Sequence, residues 1–239
     1  LGVRADHFAT GHYVQKVVLP NGRVALKKGV DPKKDQSYFL FALSQEQLHR
    51  TLFPLGGMVK DQVRARAAQL DLGFEKVKES QNFVTGGYEV LFDGKDHPGD
   101  IVDVSGRRLG MHNGIWRYTV GQRKGIGVSA PHPLYVVGVD AAANRVVVGT
   151  KELLYSHRFT VTHLNWMALE RLAGPMEVVV KIRYQHQGAL ATITPMEADG
   201  VQVTFEAPQL SITPGQVAVF YADGVLMGGG FIDQVTTSA

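Results

Sequence analysis

Short alternations of apolar and polar residues recur along most of this chain, and one stretch near its start carries a longer apolar run. Val14 to Leu19 and Arg23 to Lys28 alternate on either side of Pro20-Asn21-Gly22. Asn-Gly between two such runs is the strongest short hairpin signal, so a small antiparallel ribbon is predicted. Asp6 to Tyr13 reads as a strand ending in a small-residue turn, where Gly11 lets a ligand approach the backbone and His12 stands beside it. Gly29 to Leu55 follows. Asp31-Pro32 opens a turn there, because proline fixes φ and keeps the residue before it out of the helical region. Lys33, Lys34, Asp35 and Gln36 make a charged connector, and Tyr38, Phe39, Leu40, Phe41 and Leu43 form the apolar run. Ser44 with Gln47 three residues on is a capping box, predicting a helix from Gln45 to Leu52. Lys60 to Leu70 places Val63, Ala67 and Leu70 at helical spacing, an amphipathic helix.

From Gly99 the texture is strands and turns. Asp100 to Val104 and Arg108 to His112 flank Ser105-Gly106, and Asn113-Gly114 predicts another hairpin into Ile115 to Val120. Residues 121–127, GQRKGIG, set three glycines around Arg123 and Lys124. Glycines let the backbone approach a phosphate and the two cations pair with it, so the loop suits an anionic ligand such as RNA. Its spacing is not that of a nucleotide P-loop. Leu134 to Val139 and Arg145 to Thr150 predict a further strand pair. Six more alternating runs follow: Phe159 to Leu164, Met176 to Tyr184, Ala189 to Pro195, Gly200 to Phe205, Gln216 to Tyr221 and Val225 to Phe231. Six strands at this spacing predict a small closed barrel, which removes exposed sheet edges. Three pieces result: 1–82 as the tail of a larger α/β unit, 83–150 as a β-rich middle and 151–239 as a terminal barrel.

Composition narrows the function classes. The 239 residues are 44% hydrophobic and 20% charged, with a net charge of +3. That permits a nucleic-acid partner without demanding one, since phosphate binding depends on local basic clusters. Cysteine is absent, which excludes disulfides, thiolate metal sites and cysteine nucleophiles within these residues and fits a reducing compartment. No apolar run approaches the roughly eighteen residues of a membrane span, and no signal-peptide pattern is present. The first residue is Leu, so the chain is expected to begin inside a longer one.

Nine blocks, in order, resemble the tRNA-specific 2-thiouridylases of the MnmA/TrmU family: ATGHY at 9–13, GVDPKKDQSYFL with LSQEQL across 29–48, TLFPLG at 51–56, ESQ at 79–81, PGDIVD at 98–103, YTVGQRKGIG at 118–127, YVVG at 135–138, IRY at 182–184 and TPGQVAVFY at 213–221. The resemblance implies a PP-loop ATP-binding domain related to adenine nucleotide alpha hydrolases, here only its C-terminal part, then a central β-rich domain and a six-stranded barrel. It implies a cytoplasmic enzyme, without a membrane partner, that uses ATP with Mg2+ to adenylate the C2 oxygen of a tRNA wobble uridine. Sulfur from a cysteine persulfide then replaces that oxygen, and a desulfurase or sulfur-carrier protein is the further partner. Carried over by position, Gly11 is the ATP contact and His12 a tRNA contact. Lys34, Asp35 and Gln36 become the tRNA-interacting triplet, with Arg183, Tyr184 and Gln216 as barrel contacts; Arg123 and Lys124 join them on the chemistry of their loop.

Two departures bear on activity. The family's SGGxDS phosphate loop and first catalytic cysteine, which precede ATGHY, are not in these residues. The persulfide cysteine expected just after ESQ is also missing; Val84 stands near its place, and a valine cannot store transferable sulfur. A non-catalytic tRNA-binding homologue is therefore the alternative reading. An enzyme that adenylates an RNA base for another nucleophile is a third.

Overall fold

The computed structural model describes residues 5–71, 97–197 and 199–236. They divide into two compact units. The first comprises the described residues of Leu1–Lys78, Arg158–Ala207 and Pro214–Val235; the second those of Glu79–His157, Pro208–Thr213 and Thr236–Ala239. The ESQ block and Val84 lie outside the described residues.

In the first unit the N-terminal segment supplies β1 (Phe8–Ala9), β2 (Val14–Val18), β3 (Val24–Lys28), α1 (Gln45–Arg50), β4 (Thr51–Leu52) and α2 (Lys60–Gln69). The predicted hairpin is present: β2 and β3 pair antiparallel from Val18↔Val24 to Val14↔Lys28, and Gly22 takes φ 80° at the turn. The strand expected over Asp6 to Tyr13 is reduced to two residues paired in parallel with β4. The Ser44–Gln47 capping box forms, but α1 stops at Arg50 instead of Leu52. Thr51 ends it, its hydroxyl donating to the Gln47 carbonyl while its own backbone turns extended into β4. The Lys16 ammonium collects the carbonyls of Leu48, His49 and Thr51 at 3.2, 3.4 and 2.8 Å, closing the helix C-terminus. The α2 helix forms as expected, yet none of its residues is buried. Between Lys60 and Gln69 only Val63 offers an apolar side chain larger than alanine, too little to make a buried face.

The second unit holds β5 (Gly99–Asp103), β6 (Arg108–His112), β7 (Tyr135–Asp140) and β8 (Arg145–Gly149) in the sheet order β6-β5-β8-β7. Ile101, Ile126, Val136, Val146 and Val148 form its core. The hairpin expected at Asn113-Gly114 is absent: Ile115–Arg117 is a single 3-10 turn. The buried His112 ring accepts from the Gly114 N–H at 3.1 Å, and the Gly114 carbonyl accepts from Arg117, so the backbone coils where a strand was expected.

The six runs from Phe159 onward become β9 (Tyr155–Trp166), β10 (Met176–Lys181), β11 (Ala189–Pro195), β12 (Gly200–Leu210), β13 (Val217–Ala222) and β14 (Val225–Thr236). They follow the order β13-β10-β11-β12-β9-β14, and β14 pairs back with β13, closing the predicted barrel. Period-two alternation sends Val178, Val180, Ala191, Ile193, Val201, Val203 and Phe205 into the interior. Arg183 and Tyr184, expected within a strand, lie just beyond the end of β10.

The N-terminal segment joins this barrel in one unit. A ladder pair, Val225↔Lys27, links β14 to β3. Val14, Leu26, Tyr38 and Leu48 share a core with Met167, Val219, Tyr221 and Leu226. Side chains staple the two through backbone carbonyls. Arg23 donates to Met167 and Trp166 at 3.0 and 2.9 Å, Gln45 to Met167 at 3.1 Å and Asn21 to Ala168 at 3.0 Å.

Candidate nucleic-acid interface

The loop after β3 is shaped by two carboxylates with different partners. Asp31 closes the turn on the Lys33 N–H at 3.0 Å and also accepts from the Lys60 N–H at the start of α2 at 3.0 Å. The Lys60 amide, then burial in opposition, then Lys33 and Lys34 hold its carboxyl below the usual range. Asp35 turns inward, accepting from the Gly29 N–H at 3.1 Å, the Ser37 N–H at 3.2 Å and the Ser37 hydroxyl at 3.0 Å. Gln36 completes the anchorage: its side-chain oxygen accepts from the Tyr13 N–H while its own N–H donates to the Tyr13 carbonyl. The loop therefore enters the 3-10 turn Ser37–Leu40 at a fixed angle, with buried Ser37 also 3.1 Å from the Tyr221 hydroxyl.

This anchored loop and the turn after β10 border one cleft of about 550 Å³, lined by Lys28, Gly29, Pro32 and Asp35 on one side and by Lys181, Tyr184, Gln185, His186 and Gln187 on the other. Cations lie against its rings. The Lys28 ammonium sits 4.7 Å from the Tyr221 ring centre, and that of Lys181 sits 5.8 and 5.6 Å from those of Tyr38 and Tyr184. Burial pulls the Lys181 pKa down, Asp35 opposes this and Lys28 adds to it. Burial pushes the Tyr38 hydroxyl up to about 12 against the pull of the Arg183 guanidinium, and it raises Tyr221 as well. A phosphate entering here meets ammonium groups in a partly desolvated setting, where charge pairing is stronger than in open water.

Of the expected tRNA contacts, Asp35 and Tyr184 line this cleft, whereas Lys34, Gln36 and Arg183 are adjacent in sequence but not among its lining residues, and the others fall elsewhere. His12 lines a separate groove of about 470 Å³ with Phe8, Leu43 and Phe53, and its Nδ1 lies 2.7 Å from the Thr10 hydroxyl. Gly11 stands beside it; a Cβ there would meet only Leu55 at 3.8 Å, so close packing does not demand glycine. Gln216 accepts from the Ile232 N–H through its backbone carbonyl and is not among the residues lining the cleft. In the second unit Arg123 lines a cleft of about 450 Å³ with His132, and Gly121, Gly125 and Gly127 all take positive φ, the freedom read from the sequence. The Lys124 carbonyl there accepts from the Gln122 side chain at 3.0 Å. Among the described residues, no three His, Asp or Glu side chains come together as a metal-binding set. No helix of the described residues is long and apolar enough to cross a membrane.

Sequence reasoning missed Lys28, Lys181 and Phe39. A signal existed for Lys181, since Lys181-Ile182-Arg183 alternates two cations around a buried isoleucine. Phe39 was counted with the apolar run, yet it is 54% exposed.

Three family models match the chain in succession. They are a tRNA methyl transferase HUP domain over residues 2–85, a tRNA methyl transferase PRC-barrel domain over 93–150 and an aminomethyltransferase beta-barrel domain over 156–232. The HUP match identifies the N-terminal segment as the expected α/β remnant. The chain is 46% identical over 244 residues to the tRNA-specific 2-thiouridylase MnmA of Geotalea uraniireducens, covering 99% of the chain and 65% of that protein. To the protein of the same name from a Picosynechococcus species it is 43% identical, over 95% of the chain and 67% of the relative. For Chlorobium chlorochromatii the figures are 41%, 98% and 68%. The chain thus spans about two thirds of the length of these relatives. With that identity sustained along almost its whole length, the chain belongs to the tRNA-specific 2-thiouridylase MnmA family.

Proposed function

We propose that this chain carries the tRNA-recognition surface and part of the active site of a cytoplasmic tRNA-uridine 2-sulfurtransferase. On this reading ATP adenylates the C2 oxygen of the wobble uridine, and sulfur from a persulfide replaces it. The observation that carries the reading is the cleft shared by the Asp31–Gln36 loop and the Arg183–Tyr184 turn, where ammonium groups and aromatic rings lie together. Such a combination suits RNA whose bases are unpaired, cations taking phosphates and rings taking base faces. Family membership supports tRNA as the ligand, since the relatives are named for it.

The reading divides the chain into 1–82, 83–150 and 151–239, as the α/β, central and barrel domains. On this reading Asp35 and Tyr184, which line the cleft, and Lys34, Gln36 and Arg183 next to them in sequence are tRNA contacts, His12 and Gln216 are further ones, and Arg123 and Lys124 serve as a second basic contact. Gly11 is the ATP-side residue. None of the 239 residues is a cysteine, so the sulfur arrives on a thiol outside them, the reason for expecting a desulfurase or carrier protein as partner. The same observation favours a second reading, a homologue that binds tRNA without thiolating it.

Filter binding of tRNA across a salt series tests the interface. Arg183→Ala and Lys34→Ala are each expected to weaken binding and to lower the salt slope by about one. A slope identical to the wild type removes the residue from the contacts. Mass spectrometry of tRNA from a deletion strain separates the readings: loss of wobble 2-thiouridine supports the enzyme, and an unchanged level supports the binder.

A further inference from the structure

We propose that Phe39 and Tyr184 form a stacking platform for one unpaired nucleobase, with the ammonium groups of Lys181 and Lys28 receiving the adjoining phosphates. This rests on the RNA reading of the cleft and goes beyond it by assigning Phe39, with Tyr184, the contact to one base.

Phe39 is 54% exposed although it sits in an apolar run whose neighbour Tyr38 is 8% exposed. A lone exposed ring is ordinary on a surface; what distinguishes this one is that a second ring holds it and cations lie beside that second ring. The ring is not loose. Its centre lies 4.5 Å from that of Tyr184 with the planes tilted by 32°, and Tyr38 meets it edge-on at 5.6 Å. Its backbone belongs to the 3-10 turn that Asp35, Ser37 and Tyr221 lock from below. Tyr184 thus covers one side of a positioned ring, and what remains exposed is surface that a planar group can cover.

The chemistry of that group follows from the surroundings. Aromatic clusters also capture cations, but here Lys181 already lies against Tyr38 and Tyr184, and Lys28 against Tyr221. A second cation would be repelled. A ligand that is planar and apolar on its faces and anionic at its edge satisfies rings and ammonium groups together, and a nucleotide has that form. In a duplex the base faces are taken by neighbouring bases, leaving only phosphates for the lysines.

Fluorescence titration of the 239-residue chain with two RNAs tests this: a single strand of about ten nucleotides bearing 2-aminopurine at its centre, and a blunt duplex of matched charge. The single strand is expected to bind with quenching of the 2-aminopurine. Phe39→Ala should weaken that binding by about five- to a hundred-fold and abolish the quench. Phe39→Trp should preserve both, whereas Phe39→Leu, similar in apolar bulk, should behave like the alanine variant. Lys181→Gln should lower the salt slope and leave the quench intact. Thermal melting of each variant reports the fold independently. Unchanged single-strand affinity in Phe39→Ala, or full affinity in Phe39→Leu, overturns the stacking assignment while leaving the cleft as an RNA site. Failure of the wild type to bind either RNA overturns the RNA reading itself.

Discussion

Replacing Asp35 separates two roles that the loop between β3 and α1 combines: holding its own shape and presenting charge. The carboxylate takes the Gly29 amide at 3.1 Å, the Ser37 amide at 3.2 Å and the Ser37 hydroxyl at 3.0 Å. In Asp35→Ala the Gly29 amide, only half-buried, is rehydrated at little cost. Ser37 is fully buried, so its amide loses an acceptor where water is scarce, while its hydroxyl keeps only Tyr221. Orphaned buried donors cost about 1–3 kcal/mol each, which puts the loss at about 2–4 kcal/mol. For a unit of about 150 residues this lowers the melting midpoint by roughly 4–16 °C. Asp35→Asn keeps an oxygen for the two amides and gives up mainly the charge assistance, costing about 1 kcal/mol. It also removes the anion that faces Lys181 in the cleft, so RNA affinity should equal or exceed that of the wild type. Calorimetry and filter binding on the same samples decide. If Asp35→Ala melts within about 1 °C of the wild type, the anchoring argument fails. If Asp35→Asn weakens RNA binding about tenfold at unchanged stability, the carboxylate is a ligand contact instead.

Lys16→Met keeps the apolar stem but strips the C-terminus of α1 of its three-carbonyl cap; about 1–2 kcal/mol of stability should go, read as a lower urea midpoint, and an unchanged midpoint refutes the cap. Unfolded tyrosine titrates near 10.0 while Tyr38 keeps its proton to about 12. Between those values the folded chain holds the Tyr38 proton that the unfolded chain has lost, so this residue's contribution is fully present below pH 10 and then falls by up to about 1.4 kcal/mol per pH unit. Tyr38→Phe should make that alkaline limb shallower, though not flat, because Tyr221 is shifted the same way; an equally steep limb in the variant refutes the assignment. A Cβ on Gly56 would collide with the Val14 carbonyl oxygen, whereas one on Gly57 would meet nothing within 4 Å. Gly56→Ala should therefore cost about 1–3 kcal/mol and Gly57→Ala almost nothing in the same urea assay, and equal costs would contradict the close approach.

What was legible in the sequence is what local chemistry decides. Pro20-Asn21-Gly22 turns because Gly22 can take φ 80°, and Ser44–Gln47 caps because both side chains reach the backbone of one turn. The barrel was legible because each strand carries its own alternation, and closure follows once the edges must be paired. Asn113-Gly114 shows the limit of this reasoning. It is the same dipeptide as Asn21-Gly22, but the buried His112 ring takes the Gly114 amide and the chain coils. The cleft was legible only in its parts, as the loop with Asp35 and the turn with Tyr184, and not in their meeting. Arg23 reaches Met167 and Asn165 reaches the Phe41 carbonyl across more than a hundred positions, and no periodicity encodes such pairings.

Those distant pairings are what make the cleft one object. The β2–β3 hairpin belongs to the N-terminal segment by sequence, yet β3 pairs with β14 of the barrel, and the loop that follows β3 carries Asp35 and Phe39. The opposite wall, Lys181 to Gln187, leaves the barrel at the end of β10. Two segments more than a hundred residues apart can hold rings at 4.5 Å only if neither moves against the other. The shared core of Leu26, Tyr38, Met167 and Tyr221, together with the Arg23, Gln45 and Asn21 staples, supplies that rigidity. Binding energy from the cleft is then not diluted by ordering the two walls, which is the cost that loosely tethered modules meet on association.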